Sequence, residues 1–415
     1  MSNTLTFIDM VAKGSQKFAH EKLSFIPNVD RQYDDYYARQ GGGKMGATLR
    51  VTKPRMFEST VGSTLVVSDI EDVDSTITMG TQRHVAHELS SKEMTLDTTS
   101  PREINRFYEE TLYPMMSSLT APIEADFIAF ATKATANIVG TAGTAISDST
   151  VPGLARARLN QNIAPMDKRI AMTTSTVMAS MVAGRDSFFH PAAEIERQYK
   201  EGRVGRNAMA EWFENEKMYT HTNGSDVTIS TDAAALVVNG SGALDFHTLT
   251  AAQVTLGSTF TIAGVYDCHP ETKQAYPHLK TWTLESGGAT AGASVISPAI
   301  YFDGPRKNCV AANGAALTAA SFNAAVMTFH GLASTSYVNS LMFHPKAYQF
   351  VTADLEPIFE DAKAFKNVNH DGLSMSCCIF GDGINYKRIL RIDILYGFAA
   401  LRQEWGCRMI GAANA

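Results

Sequence analysis

The residues able to do chemistry are eleven histidines and five cysteines, and their spacing assembles little. His84 and His87 stand three apart in a stretch that alternates like a strand, so they point to opposite faces and do not converge on one metal. Cys268-His269 and Cys377-Cys378 are the suggestive dyads. A catalytic thiol needs a base beside it and a third group to orient that base. Without either in the local sequence, these residues read as small buried thiols and a turn histidine. Residues 41–46, Gly-Gly-Gly-Lys-Met-Gly, approach a phosphate loop, but Met45 follows Lys44 where that loop needs Ser or Thr, and a strand pattern follows where it needs a helix. Arg203 and Arg206, in the turn after a polar helix that begins at Glu194 and ends at Gly202, offer a pair of cations for an anion or, more simply, a solvated turn. No HExxH, GxSxG, paired CxxC, dinucleotide fingerprint or EF-hand loop occurs. No residue is therefore assigned a catalytic, cofactor-binding or metal-binding role, and no cofactor is expected.

A chain of 415 residues exceeds one typical core, so two or three domains are expected. Apolar residues at 45% and charged ones at 19% describe ordinary globular composition. A net charge of -6 leaves no basic footprint for sequence-specific nucleic-acid binding. An odd number of cysteines without framework spacing suggests free thiols in a reducing compartment. The first residues carry an Asp inside a short apolar run and no basic segment, unlike a signal peptide, and no apolar run reaches membrane-span length. The expectation is a soluble, non-membrane protein made in a cytoplasm.

The positioning elements read as follows. Residues 1–40 form an arm, with a short helix over 7–22 and a Tyr/Asp-rich continuation too poor in aliphatics for its own core. Removing this arm is expected to leave a folded subunit. Residues 41–97 make a long hairpin-like loop, with strands at 48–53, 75–79 and 85–89 and edges that need a partner. Residues 101–139 are helical, capped by Ser100 and Pro101 and interrupted at Pro114 and Pro122, with Ile123, Phe127, Phe130, Ala131, Ala134 and Ile138 in one apolar stripe. A buried strand at 168–173 and a helix at 175–183 follow. From Asn223-Gly224 to Asn313-Gly314 the chain turns Gly/Ser/Thr-rich, with short strand runs at 227–230, 235–238, 259–263, 281–284 and 295–301. Residues 224–313 are thus expected to form an autonomous β-domain around Phe260, Ile262, Val265, Trp282, Leu284, Val295, Ile296, Ile300 and Phe302. Helical spacing resumes over 316–334, and 340–344 is a strand. In the last segment Ile392, Ile394 and Tyr396 alternate with Arg391, Asp393 and Leu395, a half-buried strand that Gly397 is expected to end.

This order of parts resembles the major capsid proteins of tailed double-stranded DNA phages, and within them the P-twenty-two-like coat proteins. The stretches that carry the resemblance are 72–89, 118–137, 199–206, 259–265 and 390–402. The resemblance implies an α+β chain of the Hong Kong 97-type fold: N-terminal arm 1–40, extended loop 41–97, and a discontinuous core of 98–223 and 314–415. That core would hold the spine helix and the peripheral and axial domains, with a β-barrel inserted at 224–313. It implies a non-enzymatic coat protein whose partners are copies of itself as hexamers and pentamers, a scaffolding protein, a portal protein and packaged double-stranded DNA bound without sequence specificity. The setting implied is the virion capsid, assembled in the host cytoplasm. A cytoplasmic hydrolase with a β substrate module, and a minor virion or tail protein, remain open at this point.

Overall fold

The computed structural model describes residues 7–31, 48–57, 62–63, 72–90, 108–184, 206–232, 237–246, 253–286, 292–356, 365–370, 373–382, 384 and 387–411. The Gly-rich stretch 41–46, the expected cap at Ser100 and Pro101, and most of 194–206 lie outside them. The described helices are α1 (Phe7–Lys22), α2 (Tyr113–Ala134), α3 (Thr150–Gln161) and α4 (Ser175–Ala183). The strands are β1 (Thr48–Thr52), β2 (Asp74–Ser90), β3 (Ile138–Gly140), β4 (Arg169–Thr173), β5 (Arg206–Asn207), β6 (Ala210–Glu214), β7 (Thr220–Thr222), β8 (Thr228–Ser230), β9 (Ser241–Phe246) and β10 (Thr259–Cys268). They continue with β11 (Ala275–Ser286), β12 (Gly292–Ile300), β13 (Cys309–Val310), β14 (Val326–Phe329), β15 (Ser336–Phe343), β16 (Tyr348–Ala353), β17 (Phe365–His370), β18 (Leu373–Asp382), β19 (Lys387–Ala400) and β20 (Gly406–Ile410). The chain divides into two compact units.

The first unit combines Met1–Val51, Ser75–Phe127 and Tyr348–Ala399. Its sheet runs β1-β2-β19-β18-β17, with β16 also on β19. Helix α1 belongs to its core: Val11, Ala12, Ser15 and Ala19 are buried, and Ser15 Oγ lies 3.8 Å from Cys377 Sγ. Phe25 packs edge-on against Phe127 at 4.9 Å. The carboxylate of Glu124, fully buried on α2, accepts the Ser24 and Phe25 amide N–H groups at 2.7 and 2.5 Å, satisfying donors ahead of the short 3₁₀ turn Ile26–Asn28. The described part of the N-terminal segment, which has no core of its own, is thus packed into the core of this unit.

Helix α2 is one continuous helix, preceded by a π turn at Tyr108–Leu112, and does not restart at Pro122. Pro122 removes a donor and strains the turn before it, at about 3 kcal/mol. The stripe on both sides outweighs this: Leu119, Ile123, Phe127 and Ala131 are buried, and each large side chain contributes about 1.5–3 kcal/mol. The helix stops at Ala134, and Ile138 sits on β3, not on the helical stripe.

Gly397 does not end β19. The strand continues to Ala400 through an irregularity in its pairing with β2 between Tyr396 and Gly397. A Cβ at Gly397 would stand 2.4 Å from the Thr78 carbonyl oxygen, so the close approach of β2 demands glycine there.

The second unit combines Thr52–Asp74, Ile128–Ala347 and Ala400–Ala415 and holds two sheets. One runs β3-β20-β15-β4-β6-β5, with β7 on β15. Strand β4, entirely buried as its apolar pattern predicts, pairs in parallel with β6 after the α4 crossover. Trp212, Met178, Met181, Leu159, Met342 and Met409 fill the core beside it.

The other sheet runs β8-β14-β10-β11-β12-β9, with β13 on β10. Its two outer strands meet: Thr231 bridges Phe246, and the Asp232 N–H donates to the Asp245 carbonyl at 3.0 Å. The sheet closes into a barrel, which removes exposed edges. The barrel's core includes Phe260, Ile262, Val265, Trp282, Leu284, Ile296 and Ile300, with Phe302 packed against it. Val295, expected in that core, is exposed at 43% because its neighbours Ser294 and Ile296 point inward. The helix expected over 316–334 is instead a 3₁₀ turn, Ala319–Phe322, followed by β14, whose buried Met327 and Phe329 alternate with exposed Val326 and Thr328. The incoming and outgoing chains are zipped together: Thr222 pairs with Ser336, the Ser334 N–H donates to Gly224 O at 2.9 Å, and Asn223 Nδ2 donates to His330 O at 2.8 Å.

Candidate functional site

The five cysteines are free and buried. Burial pushes the thiols of Cys309 and Cys407 up to about 12 and that of Cys377 up to about 11, so all three are protonated at neutral pH. Cys268 is also raised by burial, and its Sγ lies 3.4 Å from the Lys307 carbonyl oxygen. The ring of His269 serves a turn: its Nδ1 accepts the Glu271 and Thr272 N–H groups at 3.1 Å each. On β2, His84 and His87 fall opposite Asp393 and Leu390, an odd separation that places them on opposite faces of the sheet. Among the described residues no group of three or more His, Cys, Asp or Glu is placed to hold a metal.

Two polar centres that sequence reading missed lie in the second unit. At the first, Asp267 on β10 accepts from Lys280 Nζ at 2.8 Å and from the Cys268 N–H at 3.0 Å, and meets His278 Nε2 at 3.3 Å. Burial pushes the Asp267 carboxyl up, but the Lys280 charge and the hydrogen bonds from His278 and Lys280 outweigh it and hold the value at about 2. The Tyr276 ring stacks on His278 at 5.3 Å, and its hydroxyl donates to Gln161 O. The carboxylate is thus committed to a buried ion pair between β10 and β11, while the Tyr276 hydroxyl beside it ties β11 to α3.

At the second centre, His221 Nε2 lies 3.0 Å from Ser258 Oγ, a serine–histidine contact of the kind a hydrolase uses. Its Nδ1 is buried without a partner, so no carboxylate orients the ring. Burial, then the charges of Arg408 and Lys133, lowers its pKa to about 3. A base of that strength does not activate a hydroxyl at neutral pH. Both centres were invisible in sequence because their partners lie far apart along the chain.

The largest unfinished feature is β2. Seventeen residues at about 3.3 Å each give a ribbon about 55 Å long. Along it, of the side chains described, Ile77 alone is buried, and the rest are exposed or half-buried. Its second half pairs with β19, Ser90 opposite Lys387 through to Met79 opposite Gly397, which corrects the expectation of a hairpin with unpaired strands. Its first half lies against β1, with Lys53 N–H donating to Val73 O at 2.8 Å and Thr48 and Thr78 hydroxyls 3.5 Å apart. Arg83 fixes the ribbon at mid-length by ion-pairing with Asp126 on α2 and donating to the Tyr396 hydroxyl at 3.0 Å. Gln82 donates to Asp393, itself held by a two-pronged pair from Arg391, both at 2.8 Å. Pairing therefore sets the register of β2, but among the described residues its faces lack a core of their own.

No helix among the described residues is long and apolar enough to cross a membrane. No protein-family model matches the chain, and no curated protein matches it. Among solved structures the chain is similar to a protein of Mycobacterium phage Che8, at 10% identity over 93% of this chain and 90% of that one, with a TM-score of 0.46. It is also similar to a chain in the capsid structure of Cyanophage P-SCSP1u, at 12% identity over 93% and 89%, TM-score 0.44. A third is a chain of the mature capsid of bacteriophage PhiM1, at 10% identity over 90% and 84%, TM-score 0.43.

Proposed function

We propose that this chain is a major capsid protein that assembles with copies of itself, as hexamers and pentamers, into the icosahedral head shell around a phage double-stranded DNA genome. The observation that carries the reading is β2: a strand about 55 Å long with one buried side chain among those described has faces for a neighbouring subunit to cover. The order of parts in the sequence supports the same reading, with β2 as the extended loop, α2 as the spine helix and the Hong Kong 97-type fold around them. The barrel is read as an inserted domain, and the zipped strands at Asn223–Thr335 support limits near 224 and 335. Scaffolding and portal proteins are the partners of such a shell, and its contact with DNA is weak, without sequence preference and steeply salt-dependent.

Negative-stain images of the purified protein, alone and co-expressed with candidate scaffold genes, test this. Closed shells of uniform diameter are expected. Tubes and fibres would point to a tail or minor virion component, and small monodisperse particles under every condition would overturn the proposal.

A further inference from the structure

The sheet β3-β20-β15-β4-β6-β5 carries opposite charge at its two ends. At one end α3 packs on β20, β3 and β15, burying Pro152, Ala155 and Leu159. Its other face is exposed and apolar: Leu154 is 50% exposed, and beyond the helix end Ile163 and Met166 are 41% and 55% exposed. Arg156 and Arg158 are the only charged residues between Thr150 and Met166, and the next two, Asp167 and Lys168, cancel. This end is therefore cationic around an apolar patch.

At the other end, β6 is paired with β4 along one side. On its other side the short β5 covers Ala210 and Glu211, and among the described residues no strand pairs with Trp212–Glu214 there. Glu211, Glu214 and Glu216 are exposed, and no Lys or Arg lies between Asn207 and Glu216. Arg206 stands opposite Glu211 across the hairpin, which leaves the other two glutamates to set the sign. From β3 or β20 to β6 is three or four strand spacings, about 14–19 Å, so α3 does not reach the β6 edge of its own chain.

Both ends also hold backbone conformations that their side chains disfavour. Ile163 closes α3 in the left-handed region, φ 55°, where a helix end prefers glycine and a β-branched residue is an outlier. Its side chain gains little burial in return within one chain. Ala208 and Met209, φ 51° and 61°, are the two central residues of the β5–β6 hairpin, positions that favour Asn-Gly. Strain of this kind persists where the surroundings compensate for it.

We infer that the α3 end of one copy docks on the β6 edge of the next, with Leu154, Ile163 and Met166 in the contact and Arg156 facing Glu214. The two surfaces differ, so the joint is head-to-tail, and its repetition closes a ring when the rotation per copy allows. The inference rests on the shell reading, because both ends are taken to meet a second copy of this chain, and it assigns the contact within each hexamer or pentamer.

The test uses the full chain with Ala157→Cys and Glu214→Cys introduced together, both at exposed positions, and a short flexible bismaleimide. The five native thiols are buried. Cross-linking should give a ladder running past the dimer to pentamer and hexamer, because each copy carries both halves of the joint. Either single variant should stay monomeric, and their mixture should stop at a dimer. A dimer from Ala157→Cys alone would mean that the helix meets its own counterpart, and overturns the inference. Absence of a ladder also overturns it: with uniform particles in the same sample the shell reading survives, and without them that reading falls as well. Should the double-cysteine variant not fold, charge reversal decides. Arg156→Glu or Glu214→Arg should each lower the assembled fraction about tenfold by setting like charges together, and the two combined should restore it. Loss without recovery, or no loss, overturns the inference.

Discussion

The barrel of the second unit and the β2 ribbon of the first are both β-structure, yet they are stabilised by opposite means. The barrel closes on itself through Thr231 and Phe246 and encloses Phe260, Trp282, Leu284 and Phe329 in one core. The ribbon is longer than any barrel strand, but only Ile77 along its described side chains is buried. Hydrogen bonds alone contribute little net stability, about 1 kcal/mol each, so a strand without a core leans on whatever lies across its faces. The barrel is complete within one chain. On the proposed reading, a neighbouring subunit completes the ribbon.

The most severe way to break the contrast is to cut the barrel out. A fragment of residues 224–335 should fold, giving dispersed β-type amide shifts. A fragment stopping at 313 should not, because it lacks β14, the strand between β8 and β10. A disordered spectrum for 224–335 would mean that the barrel needs the rest of its unit. Next in size, Phe260→Ala in the full chain should cost about 3–5 kcal/mol in denaturant unfolding, since Phe260 packs on Phe246, Phe329 and Trp282.

How much of this was legible in the sequence follows from the same contrast. Strict alternation announced β19, and a run of apolar residues announced β4, because burial pattern and period agree there. Residues 316–334 misled: Leu317, Phe322, Val326 and Phe329 fit a helical stripe, while the period of two that places Met327 and Phe329 inward spans only four residues. Gly397 looked like a terminator because sequence cannot show that β2 passes 2.4 Å from where its Cβ would be. The contacts of the buried Arg408 were out of reach altogether, since it donates to Thr283 Oγ1, Gly257 O and Lys133 O, which are 125, 151 and 275 positions away.

Acid offers a smaller, graded test of the barrel side. His221 and His330 are depressed by burial and nearby cations to about 3 and about 4, whereas an unfolded histidine titrates near 6.5. As pH falls below about 6.5 the unfolded chain takes up protons first. Stability is therefore fully present above that pH and declines by up to about 1.4 kcal/mol per pH unit for each histidine until about pH 4. Urea unfolding followed by circular dichroism from pH 7 to pH 4 should show that slope, and His221→Gln should reduce it. On the ribbon side, Ala86→Glu should change subunit stability by no more than about 0.5 kcal/mol, since Ala86 is exposed. The same change should abolish uniform particles in electron micrographs.

Hydrogen exchange on free subunits and on assembled particles compares the two regions directly. Barrel-core amides should be protected equally in both forms. Along 79–90 of the ribbon, amides bonded to β19 should be partly protected in the free subunit, and the alternate ones, directed away from β19, should exchange freely there and become protected on assembly. Equal protection of those alternate amides in both forms would contradict the account, because the ribbon would then be finished without a neighbour.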